Sequence, residues 1–111
     1  MDLIRGDRGE VTVLALKGHL GPADNPDFLR ALGDLQREKR SRLVIEVSGL
    51  EYMNSSAISA LVAFYQKAVA AGGGLAIVGP SQSLRKILNS VGISALAAIC
   101  ATVEEAVEAL S

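Results

Sequence analysis

The sequence predicts an α/β fold: a small mixed β-sheet, opened by a hairpin and continued by mostly parallel strands, with four α-helices packed on it. Three observations carry this expectation. Short apolar runs alternate with segments whose apolar residues recur at helical spacing, which implies crossover connections and parallel pairing. The first two runs are separated only by a few turn residues, which suits an antiparallel hairpin. Glycines and helix-capping residues mark the boundaries between the segments.

Leu3–Arg5 and Val11–Lys17 are the two runs of the hairpin, and Gly6, Asp7, Arg8 and Gly9 between them supply turn chemistry. After the stretch GHLGPADNP, Phe28, Leu29, Leu32 and Leu35 recur at helical spacing with Pro26 in the first turn. This first helix closes in the charged run Arg37, Glu38, Lys39 and Arg40. LVIEV, residues Leu43 to Val47, is almost wholly apolar and β-branched, as a central strand covered on both faces should be. A second helix follows the next loop, with Ile58, Leu61, Val62, Tyr65 and Val69 on its inward face and Gly72, Gly73 and Gly74 ending it. Leu75–Val78 is a further buried strand.

Ser81 is placed to cap a third helix that carries Leu84, Ile87, Leu88 and Val91, and Gly92 closes it. Ala98–Cys100 is a short last strand. Thr102 and Glu105 have the spacing of a capping box, and Val103, Ala106, Val107 and Leu110 form the inward stripe of the final helix. No repeat, low-complexity tract or long linker interrupts this order, so residues 1–111 read as one domain.

Composition excludes several functions. A chain that is 50% hydrophobic and 21% charged, with a net charge of -1, describes a well-packed globule without the basic surplus that nucleic-acid binding draws on. The amino-terminal MDLIRGDRGE is broken by charges, and no apolar run reaches the roughly 20 residues of a membrane span, so a cytoplasmic protein without membrane insertion is expected. Cys100 is the only cysteine, which rules out an internal disulfide and leaves a thiolate metal site without companions. It reads as a small buried hydrophobe. His19, the only histidine, reads as an exposed loop residue at a strand end.

GLEYMNSSAISAL, residues 49 to 61, sets Ser55 and Ser56 side by side where a turn becomes a helix. A nucleophilic serine needs a base, yet His19 is the sole candidate and no G-x-S-x-G elbow surrounds Ser55, which counts against a hydrolase. Gly72, Gly73 and Gly74 lie between helix and strand, the reverse of a phosphate-binding loop, and the basic run Arg37, Lys39, Arg40 and Arg42 is interrupted by Glu38 and reads as a solvated helix end. Asn54, Ser55 and Ser56 are all good helix caps. On the residues alone, capping and phosphate acceptance both remain open for the two serines.

The run from Leu43 to Ile58, LVIEVSGLEYMNSSAI, resembles the signature of the STAS domain as found in bacterial anti-sigma factor antagonists: a buried strand, a turn, then Asp-Ser-Ser/Thr-Gly-Leu opening a helix. The resemblance extends over most of the chain. Val11–Leu20 is similar to the family's second strand with its Gly-x-Leu ending, Gly72–Pro80 to its Gly-rich turn, strand and Gly-Pro exit, and TVEEAVEAL, residues 102 to 110, to its last helix. The resemblance implies a non-enzymatic protein without cofactor or metal that binds an anti-sigma factor with serine kinase activity and so releases a sigma factor. It also implies phosphorylation at Ser55 as the switch, and a partner surface at Gly21, Asn54, Ser55, Ser56 and Ala57. Three of these depart from the family pattern: Asn54 replaces an acid, Ala57 a glycine, and Gly21 an aspartate. Asn54 keeps the capping ability without the charge. The alternative within the family is a scaffold or transport-associated subunit without a phosphorylation switch, and a homodimer is compatible with either.

Overall fold

The computed structural model describes residues 1–111. In chain order the elements are β1 (Asp2–Arg8), β2 (Val11–Leu20), α1 (Asn25–Arg37), β3 (Arg42–Met53), α2 (Ser55–Ala70), β4 (Gly74–Val78), α3 (Gln82–Ser90), β5 (Ala98–Cys100) and α4 (Val103–Leu110). The strands form one five-stranded sheet in the order β1-β2-β3-β4-β5. β1 pairs antiparallel with β2, and every later pairing is parallel. The mixed sheet with an opening hairpin, the four helices and the central place of LVIEV are therefore as the sequence predicts.

The hairpin turn is tighter than its turn-like residues suggest. Gly6, Asp7 and Arg8 belong to β1, and Arg8 pairs with Val11 across the two residues Gly9 and Glu10. Gly9 takes the φ of 63° that the first position of a primed two-residue turn requires. Glycine and charge inside β1 mimic a loop in sequence, although ladder pairing with the apolar β2 holds them extended.

The sheet buries its two faces unequally. α1, α2 and α3 cover one face, where Leu14, Leu16, Leu20, Leu43, Ile45, Val47, Leu75 and Ile77 meet Phe28, Leu32, Leu35, Ile58, Leu61, Phe64, Leu84 and Leu88. The other face carries only α4, whose buried Ala106 packs with Val11, Val44, Ala76 and Val78 while Val103, Val107 and Leu110 pack around them. Alternation along LVIEV explains its composition: Leu43, Ile45 and Val47 point to the large core and Val44 to α4. Each fully buried Leu or Ile contributes about 1.5–3 kcal/mol relative to exposure.

Helix faces are rotated slightly from the apolar stripes. In α2 the buried residues are Ala57, Ile58, Leu61, Phe64 and Ala68, whereas Val62 and Tyr65 are half-buried and Val69 is exposed. The buried arc runs from Ala57 and Ile58 through Leu61 and Phe64 to Ala68, and it leaves Val62, Tyr65 and Val69 at its margin. Leu29 in α1 and Val91 after α3 are likewise exposed. Gly72, with φ 85°, ends α2, and its N–H and that of Gly73 donate to Val69 and Ala68 carbonyls in a Schellman arrangement. Gly73 tolerates no side chain, because a Cβ there would lie 1.9 Å from the Ser41 carbonyl oxygen.

The charged end of α1 is more structural than a solvated run. Arg40 Nε donates to the hydroxyl of fully buried Thr12 at 2.7 Å and its terminal nitrogen to the Gly9 carbonyl at 2.6 Å, pinning the helix exit to the hairpin. Cys100 is half-buried beside the α4 cluster, and burial raises its thiol pKa.

Candidate functional site

The serine pair sits where the longest strand meets the longest helix. β3 continues six residues beyond Val47, to Met53, where a loop was expected, and its register against β2 shifts twice, between Ala15 and Lys17 and between Gly18 and His19. Each shift places extra β3 residues opposite β2, the signature of β-bulges, which bend and twist a strand end. Leu50 and Met53 still reach the core, at 2% exposure each, so the bent segment is anchored. The chain then turns at Asn54 directly into α2.

Asn54 is the hub. Its side-chain oxygen accepts from the Ala57 N–H at 3.0 Å, the N-cap bond of α2. Its amide nitrogen donates to the Leu20 carbonyl at 3.0 Å and to Asn25 Oδ1 at 2.8 Å. The Asn54 backbone N–H donates to the same Leu20 carbonyl. This one residue, only 7% exposed, therefore ties the end of β2, the first residue of α1 and the start of α2 together. An aspartate would supply the cap but neither of the two N–H donors, so the departure from the family pattern is matched by a local hydrogen-bond network.

With Asn54 as the cap, Ser55 and Ser56 occupy the first turn of α2. Both are exposed, and neither hydroxyl has a hydrogen-bond partner within the protein. The first turn contains no acidic residue. The serines thus lie at a helix N-terminus, where unpaired N–H groups and the helix dipole favour negative charge.

The remaining predicted positions lie beneath or beside this pair. The methyl of Ala57 is 1% exposed and belongs to the core, so it presents nothing to the surface. Gly21 is buried at the exit of β2, and its N–H donates to Asp24 at 3.1 Å. Asp24 also holds the amino terminus, at 3.5 Å. His19 is exposed as expected, but it lies on β2 rather than in a loop and stacks on Tyr52 with ring centroids 4.6 Å apart. No hydrogen bond links His19 to either serine.

Asn25 and Tyr52 are the contributors that sequence reasoning missed. Asn25 preceding Pro26 reads as an ordinary helix start, and its bond to Asn54 depends on a contact across 29 positions. The His19–Tyr52 stack depends on the bulged register of β3, which no local pattern encodes. No group of His, Cys, Asp and Glu side chains is placed to hold a metal ion. No helix is long and apolar enough to cross a membrane.

The chain is similar to the solved structure of an anti-sigma factor antagonist from Mycobacterium paratuberculosis, with 22% identity, a TM-score of 0.86, and coverage of 98% of this chain and 92% of that one. It is similar to the anti-sigma factor antagonist SpoIIAA in its unphosphorylated form, with 19% identity, a TM-score of 0.84, and coverage of 97% and 95%. The phosphorylated form of SpoIIAA from Bacillus gives 19% identity, a TM-score of 0.79, and coverage of 97% and 98%. At these identities the likeness establishes a shared fold. No curated protein matches the chain in sequence. The STAS domain model matches residues 6–106, nearly the whole chain, and the protein belongs to the STAS domain family.

Proposed function

We propose that this STAS domain is an anti-sigma factor antagonist, which docks on an anti-sigma factor of the serine-kinase type through the surface around Ser55 and Ser56 and is released by phosphorylation of Ser55. The observation that carries the reading is the pair of exposed, unbonded hydroxyls in the first turn of α2, beside a cap that Asn54 already supplies. A kinase can take the Ser55 hydroxyl without breaking any contact that holds the fold.

A phosphate there brings about -1.5 to -2 charges at neutral pH. In the free protein the helix N-terminus tolerates that charge, because its dipole and the unpaired first-turn N–H groups face it. In a docked complex the same charge must be desolvated against a surface shaped for a neutral hydroxyl, so the complex loosens. Gly21, Asn54 and Ala57 serve this surface from beneath by fixing where α2 begins. The chain acts by binding rather than by catalysis.

The test is phosphate transfer from ATP by the anti-sigma factor that co-purifies with the chain, followed by peptide mass spectrometry. Phosphate should appear on Ser55, and the complex should dissociate. Phosphate on Ser56 or Ser59, or a complex that survives modification, contradicts it, and co-purification of a transport or scaffold assembly instead favours the alternative within the family.

A further inference from the structure

The outermost strand of the sheet is self-complementary. β1 lies at one edge, paired only with β2, and all of its residues are exposed except half-buried Leu3. A two-residue turn makes Arg8 and Val11 a hydrogen-bonded pair, and alternation then directs the amide groups of Asp2, Ile4, Gly6 and Arg8 toward β2. Those of Leu3, Arg5 and Asp7 face outward along the open edge. A long uncovered edge is a template for a further strand.

We propose that this edge pairs antiparallel with β1 of a second copy of the chain, about a two-fold axis through Arg5, joining the two sheets into one. In that register Leu3 lies opposite Asp7 of the second copy and Arg5 opposite its own counterpart, each pair exchanging N–H···O bonds from the outward-facing groups. The intervening pairs bring side chains closest. Asp2 then faces Arg8 of the second copy at both ends of the ladder, so acid meets base twice. Ile4, which is 60% exposed, faces Gly6, where no atom lies within 4 Å of a built Cβ and the apolar side chain has room. A parallel arrangement would set like charge against like, so the charge order of the strand selects an antiparallel copy of itself.

The two Arg5 side chains near the axis do not oppose this pairing. Each guanidinium already donates to Glu38 at 2.8 Å through two nitrogens and to Asp7 at 3.2 and 3.3 Å, so its charge is balanced within its own chain. Arg8 keeps only a loose 3.7 Å pairing with exposed Glu104 and is free to turn to Asp2 of the second copy. The edge is separate from the serines on α2, and the inference stands whether or not Ser55 is a switch.

Sedimentation equilibrium of the full chain tests it, with the charge-reversal variants Asp2→Arg, Arg8→Asp and the two combined. The wild-type chain should show a monomer–dimer equilibrium, each single reversal should weaken it about tenfold, and the double variant should restore it to within about threefold. Hydrogen exchange on the wild-type chain should show protection of the Leu3, Arg5 and Asp7 amides that grows with protein concentration. A chain that stays monomeric up to about 1 mM, single and double variants of equal affinity, or a dimer without that protection overturns the proposal.

Discussion

Two helices of this protein begin with serine at a strand exit, and they use it in opposite ways. At the start of α3, Ser81 is itself the cap: its hydroxyl accepts from the Leu84 N–H at 3.1 Å and is consumed by the fold. At the start of α2 the cap is Asn54, one residue earlier, and Ser55 and Ser56 are carried into the first turn with their hydroxyls unbonded. The start of α4 follows the α3 pattern, since Thr102 accepts from the Glu105 N–H at 3.2 Å. A shift of one position separates a hydroxyl that stabilises from one that is available for chemistry, and only α2 places such a spare hydroxyl directly after its cap, since α3 has Gln82 there and its own unbonded Ser83 comes one residue later.

The sharpest way to break this contrast is to remove the α2 cap. Asn54→Ala deletes the N-cap bond and two further hydrogen bonds at a nearly buried position, and unfolding by denaturant should show a loss of about 2–3 kcal/mol. Asn54→Asp, which recovers the family's usual acid, should fall nearly as far, because its oxygens would face the Leu20 carbonyl instead of donating to it. An Asn54→Asp variant as stable as wild type would mean that the Asn25 and Leu20 bonds contribute little. At α3, Ser81→Ala removes one exposed-side cap bond and should cost about 1 kcal/mol by the same measurement. Ser55→Ala, by contrast, should lie within about 0.5 kcal/mol of wild type.

A smaller effect concerns pH. The first turn of α2 has no ionisable acid, whereas at the corner of β1 and α1 the hydrogen bonds from Arg5 hold Asp7 and Glu38 below the ordinary carboxylate range. Carboxylates with depressed folded-state pKa values favour the fold above their unfolded range, and that contribution disappears as pH falls through the folded values. Thermal melts from neutral to acid pH should therefore show a gentle acid decline that Glu38→Gln flattens. These side chains are exposed, so the decline is shallow and weakens further in salt.

Much of this was legible in the sequence because it rests on local periodicity. LVIEV, the Ser81 and Thr102 caps and the glycines after α2 each signal their element within a few residues. What the sequence concealed depends on contacts between distant segments. The extension of β3 to Met53 needs the β2 partner that pairs with its bulged end, and the three-way role of Asn54 needs Leu20 and Asn25 brought to it by the fold. The Thr102 capping box was only half right for a subtler reason: Glu105 reaches the Ala101 N–H at 3.3 Å, one residue before the cap. The exposed position of Ser55 follows from the inward face of α2, but the freedom of its hydroxyl follows from Asn54, and sequence alone could not decide which of the three residues does the capping.

The central claim is that the Ser55 hydroxyl is spare in the fold and decisive in the complex, and calorimetric titration of the co-purified anti-sigma factor with Ser55→Ala and Ser55→Asp tests it most directly. Ser55→Ala should bind within about threefold of wild type, and Ser55→Asp at least about tenfold more weakly, a difference of about 1.4 kcal/mol. A parallel melt should find Ser55→Asp no less stable than wild type, because a negative charge in the first turn is worth about 0.3–1 kcal/mol in its favour. Equal affinity of the two variants, or weakened binding that merely tracks a loss of stability, would contradict the claim.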